Sequence, residues 1–273
     1  MRGNLQEGRR LTAAVLTRDV TDEVRVRMYA VHAAMAFAQG DLDGAADWQR
    51  GADLARSTDD LVGLGHCVAG VGLVALAQGD LPGAEREFAE TIELCEQVDR
   101  TGEWMWTLAH VWLATVRLLR GDTAGARPLL VRARDAAARR HDPLAGYIAL
   151  FTSAQVELAD GQPARAREHL EEGIRLSTDT GDLANLAYFL ETLGVVEAQA
   201  QEWRRVALLH GAALQLRDTV GADVYGYYTP DQAMLTMTLE AARAGLGGAF
   251  DETIAEGALL DVQSMVDLAL QPA

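Results

Sequence analysis

The chain has 273 residues, 49% of them apolar and only 6% aromatic, and forty acidic side chains oppose twenty-four basic ones for a formal charge of −16. Every one of those basic residues is Arg, which excludes a phosphate-binding GxxxxGK[ST] loop, a Schiff-base lysine and a kinase-type phosphate lysine, and argues against nucleotide hydrolysis within this chain. An acidic surface repels phosphodiester backbones, so direct nucleic-acid binding is not expected, and no apolar run reaches the roughly 18 residues of a membrane span.

The opening MRGNLQEGRR lacks the apolar region of a secretory leader, and a cytoplasmic location is expected. RGNLQEGRRLTAAVLTR reads as a lone helix, with Gly3-Asn4 in the place of a turn and Gly8 in the place of a small packing residue. Such a helix, standing without a partner before it, leaves one apolar face uncovered. Two expectations follow: a longer protein whose preceding repeat covers that face, or a homodimer through residues 5 to 17, with Leu11 and Val15 at its centre.

One phrase then recurs, as AFAQGDLDGA, ALAQGDLPGA, RLLRGDTAGA, ELADGQPARA and, more weakly, AQAQEWRRVA. Its turn position falls at Gly40, Gly79, Gly121, Gly161 and Gln201, a period of about 40 residues, which marks a solenoid of helical hairpins. The turn is encoded locally: Gly accepts the left-handed conformation that closes the first helix, and the Asp after it caps the second. Ala45, Ala84, Ala126 and Ala166 stand five residues beyond the turn, where a small side chain lets the two helices of a hairpin approach, and Phe88, Leu130 and Leu170 return to the same face four residues later.

The first helices (A) are expected near 24–38, 61–77, 103–119, 144–159 and 183–199, and the second (B) near 42–56, 81–97, 123–138, 163–177 and 202–218. Polar connections, RSTDD, VDRTGE, RRHDP and STDTGD, separate the hairpins. After the fifth, Thr229 and Pro230 suit the N-cap and first position of a further helix that ends at Gly245 to Gly248, with two short helices following at about 249–258 and 261–270. The small and aromatic positions, with Gly72 and Gly194 seven residues before their turns, resemble the tetratricopeptide (TPR) family, although most of that family's Trp and Tyr positions are replaced and the period exceeds its usual 34. The expected fold is therefore all-α: a right-handed α-α superhelix, a TPR-like solenoid of about five hairpins over 21–219, with an N-terminal half repeat over 1–20 and a C-terminal helical cap over 220–273.

The order LLHGAALQLRDTVGA, YTPDQ and ARAGLGGAFDETIAEGALLDVQSMVDLAL resembles the end of the helical sensor regions of large bacterial regulators. These are the signal-transduction ATPases with numerous domains (STAND), including LuxR-type ATP-binding activators. The resemblance implies a ligand- or protein-sensing region whose NTPase core and DNA-binding domain lie elsewhere. The alternative is a free-standing adaptor that holds a peptide or a partner helix. A third class, an enzyme on a helical scaffold, would need titratable groups clustered on one cavity, and none is discernible, so neither catalysis nor a cofactor is expected.

Carrying over the family's groove positions on the A helices places Arg27, His66, Leu108, Ile148 and Tyr188 on the first turns, with Phe151, Gln155 and Glu191 further along. These are mostly apolar, so the resemblance implies a protein, a peptide or a small apolar effector as the guest of a concave groove. TGEWMWTLAHVWLATV gathers Trp104, Trp106 and Trp112 around His110 and is the best candidate for an anchoring pocket; for Trp112 the inter-repeat core is the stronger reading. Cys67 and Cys95 read as core thiols, the six histidines show no metal-binding spacing, and Asp59-Asp60 and Glu171-Glu172 read as solvated acids. The pairs Arg9-Arg10 and Arg139-Arg140 read as helix-flanking charges, and Tyr225, Tyr227 and Tyr228 as packing over the last hairpin.

Overall fold

The structure, a computed structural model, describes residues 2–101, 103–220 and 232–271. Among these residues every regular element is a helix, so the chain is an all-α helical solenoid. It divides into two compact units, Met1–Asp142 and Pro143–Ala273.

The first unit contains α1 (Arg2–Leu16), α2 (Asp22–Phe37), the short α3 (Leu42–Ala45) with α4 (Asp47–Ser57), α5 (Leu61–Ala77), α6 (Leu81–Gln97), α7 (Trp104–Leu119) and α8 (Thr123–Arg140). Both α3 and α4 pack on α2, each later helix packs on the one before it, and α5 also lies beside α2 and α7, so the A helices form one layer. The second unit contains α9 (Pro143–Ala159), α10 (Pro163–Thr180), α11 (Leu183–Gln199), α12 (Trp203–Val220), α13 (Gln232–Leu246), a 3-10 turn at Gly247–Ala249, α14 (Phe250–Ala258) and α15 (Val262–Leu270). There α9 lies beside α11, α14 packs along α12, and α15 returns to α10 and α12. Thr229, Pro230, Tyr225, Tyr227 and Tyr228 lie outside the described residues.

The turns form where the repeated phrase puts them. Gly40, Gly79, Gly121 and Gly161 have φ of 76°, 78°, 77° and 67°, and Gln201 takes the same conformation at 60°. Because a Cβ disfavours that region, only Gln201 among the five carries a steric cost. Asp41, Asp80 and Asp122 accept the amide of the third residue onward at 2.9, 3.0 and 2.8 Å, which caps the B helices. The connections between hairpins use the same two devices: Asp59, Asp99 and His141 sit at φ of 55°, 55° and 52°, and Asp60 and Asp182 cap α5 and α11. Asp59-Asp60 is thus a turn residue followed by a cap.

Ala45, Ala84, Ala126 and Ala166 are buried, as are Phe88, Leu130 and Leu170. A Cβ on Gly72 would lie 2.6 Å from the Phe88 ring, so this glycine lets α5 and α6 close on each other. Gly194 has nothing nearer than 4.0 Å to that position and serves no such approach. Two local expectations are corrected. Gly3 and Asn4 lie inside α1 instead of in a turn, since nothing in that stretch stops the helical hydrogen-bond ladder. The first B helix is interrupted at Ala46; Asp47, immediately after the break, is buried against His32 of α2 at 2.9 Å and Arg50 at 2.6 Å. Cys67 and Cys95 are free and buried. Burial pushes the Cys67 thiol up to about 12 and that of Cys95 above its ordinary value.

Candidate functional site

In the first unit the start of α5, the end of α6 and the start of α7 enclose a pocket of about 80 Å³. Leu61, Val62, Gly65 and His66 line it from α5, Cys95 and Val98 from the end of α6, Arg100 and Glu103 from the connection, and Trp104 and Met105 from α7. The opening exists for identifiable reasons. Gly65 contributes no side chain, and even an added Cβ would meet only Leu94, at 3.8 Å. Trp104, the first residue of α7, remains 43% exposed, whereas Trp48 and Trp106 are buried and Trp112 packs on Phe88 at 5.5 Å.

The polar groups around the pocket are fixed in role. The His66 Nδ1 lies 2.8 Å from the Val62 carbonyl, and since a carbonyl only accepts, Nδ1 is the donor in that contact. Glu103 accepts from Arg100 at 3.1 Å. Behind the opening the Trp106 indole donates to Glu96 at 3.4 Å, and the buried His110 stacks on Trp106 with centroids 3.9 Å apart and its Nδ1 2.9 Å from the Trp106 carbonyl. Burial holds the His110 imidazole below its ordinary pKa, so it is a neutral packing element.

The second unit holds a buried charged cluster around α11. Arg217 of α12 donates to Glu191 and lies over the Tyr188 ring, 5.1 Å from its centroid, while the His210 Nδ1 is 3.9 Å from the same carboxylate. Burial raises Glu191 from 4.5 to about 7 although Arg217 pulls it down, and burial, followed by Arg217, lowers His210. The signs oppose each other. The folded state holds the Glu191 proton more tightly than the unfolded chain, so that contribution to stability is full below 4.5 and is lost as the pH rises to about 7. The His210 contribution is present above the ordinary imidazole value and is lost as the pH falls through the lowered one. Glu191→Gln removes only the first, so its stability relative to the parent chain should increase between pH 4.5 and 7. Urea unfolding of both proteins at several pH values checks this, and a difference independent of pH would refute it.

No protein-family model matches the sequence, and no curated protein matches it. Among solved structures it is similar to BtubC (BKLC) from P. vanneervenii, with a TM-score of 0.64 and 13% identity over 84% of this chain and 92% of that one. At that identity the likeness establishes the helical fold alone.

Of the groove residues expected from sequence, the pocket brings together His66 and Trp104. Arg27 is exposed on α2 and engaged with Glu23 of its own helix at 2.5 Å. Trp106, Leu108, His110, Ile148, Phe151, Tyr188 and Glu191 are buried, and Gln155 is half-buried. The expectation that A-helix residues are exposed to a guest is therefore corrected for those seven. An A helix such as α5 is flanked by α2, α4, α6 and α7, so most of its circumference is interior. Phe151, for example, packs edge-on against Tyr188 and Phe189 at 6.5 and 6.2 Å. Leu61, Val62, Val98, Arg100, Glu103 and Met105 line the pocket without having been singled out; a signal for three of them was the long polar connection VDRTGE, which supplies Val98, Arg100 and Glu103. Among the described residues no three potential metal ligands converge, and no helix is long and apolar enough to cross a membrane.

Proposed function

We propose that this chain is a non-catalytic, TPR-like binding module whose pocket between α5, α6 and α7 receives part of a partner, and that it serves as the sensing region of a bacterial transcriptional regulator. The observation that carries the binding reading is Trp104, a large amphipathic ring left open to solvent beside a preformed recess, whereas Trp48 and Trp106 are packed away. The regulator reading rests on the resemblance of the C-terminal segments to STAND sensor regions. A neighbouring reading frame with a phosphate-binding loop or a helix-turn-helix supports it, whereas its absence favours an adaptor.

Native mass spectrometry of the protein purified from its source should show a retained peptide, protein or small molecule, and Trp104→Ala should reduce that retention. Retention undiminished in Trp104→Ala would overturn the assignment of the pocket. Self-association is proposed through α1. Leu11 is 52% exposed at the edge of the side that packs on α2, and Val15, half-buried, lies on that side with Gly8, where a Cβ would be 2.4 Å from the Met35 sulfur. Replacing Leu11 and Val15 together with Ser should lower the sedimentation coefficient at micromolar concentration; an unchanged value would count against a dimer through this helix.

A further inference from the structure

Twice within its own fold this chain holds an Arg side chain between an aromatic face and a carboxylate. Arg217 lies over Tyr188 and donates to Glu191. Arg243 lies over Phe250, 4.4 Å from its centroid, and pairs with Asp251 at 2.9 Å. In the second case the aromatic and the acid are consecutive residues at the start of a helix. Glu103 and Trp104 set an acid and an aromatic side by side at the start of α7 in the reverse order, Glu103 as the N-cap, with the indole exposed and no guanidinium over it among the described residues.

We propose that the pocket takes a cationic side chain, that of an Arg or Lys in a basic segment of a partner protein, stacked on Trp104 and paired with Glu103. The inference rests on the binding reading above and names its ligand. The recess of about 80 Å³ admits one side chain, far below the several hundred Å³ of a small-molecule site. Leu61, Val62 and Met105 offer an apolar wall for the methylene stem. Arg100 already engages Glu103, but one carboxylate serving two guanidinium groups is normal in this protein: Glu197 meets Arg167 and Arg205 at 2.6 and 2.9 Å, and Glu85 meets both Arg117 and Arg120. Residues 51–100, which supply most of the pocket, carry ten acidic and three basic side chains, so the surrounding field draws a cation in.

The test follows the five tryptophan indole N–H signals by NMR in the ¹⁵N-labelled full chain. Trp104 is assigned from Trp104→Phe, and blocked tripeptides with Arg, Lys, Leu or Glu between two leucines are the probes. The Arg and Lys peptides should shift the Trp104 signal saturably, with dissociation constants near the millimolar range expected of one side chain, and raising the salt from about 50 to 300 mM should weaken them about threefold. Glu103→Gln, which keeps the size of the side chain, should weaken them by a similar factor while leaving the Leu peptide unaffected. Equal or tighter binding of the Leu or Glu peptide would overturn the cation assignment and leave the pocket as a binding site. No saturable shift with any peptide, in a protein that nevertheless retains a partner through Trp104 in native mass spectrometry, would also overturn the cation assignment and leave the binding reading standing. Absence of both effects would end both.

Discussion

Replacing Glu197 with Ala should lower the free energy of unfolding by about 3–5 kcal/mol, the cost of leaving buried charges without their partner. Glu197 has no solvent exposure and lies on α11 between Arg167 of α10 and Arg205 of α12. Its contacts are close ion pairs, and Arg205 also donates to the carbonyls of Ala269 and Gln271 at 3.1 and 2.6 Å. The carboxylate therefore joins three helices, and through Arg205 it reaches the end of α15. Truncation would leave two guanidinium groups beside a cavity, Arg205 keeping its two carbonyls and Arg167 a 3.9 Å contact with Glu171, but neither the close carboxylate. Glu197→Gln keeps the volume but not the charge and should fall between the two. Urea unfolding followed by circular dichroism reads the difference. A loss below about 1 kcal/mol would show that the pair behaves like a surface bridge and that water reaches the site.

Gly257→Ala should cost about 1–3 kcal/mol, the usual range for overpacking, and more if neither helix can shift. A Cβ at Gly257 would lie 2.2 Å from the Leu208 carbonyl oxygen, and one at Gly211 would lie 2.1 Å from that of Ile254. In both cases the obstacle is backbone, which cannot rotate away as a side-chain tip can. The two glycines face each other across the contact of α12 and α14, so the helices meet there main chain to main chain. Gly211→Ala should act in the same direction, and the double variant should cost less than the sum because the first substitution already parts the helices. Thermal unfolding checks both. A Gly257→Ala protein as stable as its parent would mean that the crossing is looser than this geometry.

Much of the local structure was legible because it is written in local chemistry. Residues able to take positive φ mark every hairpin turn, and the Asp after three of them caps the helix that follows. The expected boundaries of α5, α6 and α11 agree with the observed ones, since a glycine or an acid that stops one helix starts the next within three residues. His66 and Trp104 were also within reach, because both lie near the start of an A helix, where positions carried over from the repeat pattern fall. Trp106 was misjudged because, only two residues after Trp104, its side of α7 meets Cys95 of α6 and Ala136 of α8, and His110 and Glu191 because they lie further along helices already surrounded by neighbours.

Composition and a period of about 40 residues were enough to determine that this protein is a run of helical hairpins, where each turn lies and which small residues face inward, because φ preferences, capping and hydrophobic periodicity act within a few residues. Tertiary packing alone decided which A-helix positions remained at the surface, that Glu191 and Glu197 lost their water, and that a pocket opened beside Trp104. Each of those depends on how many helices surround a residue, a quantity set by groups distant in the chain and absent from any short window of it.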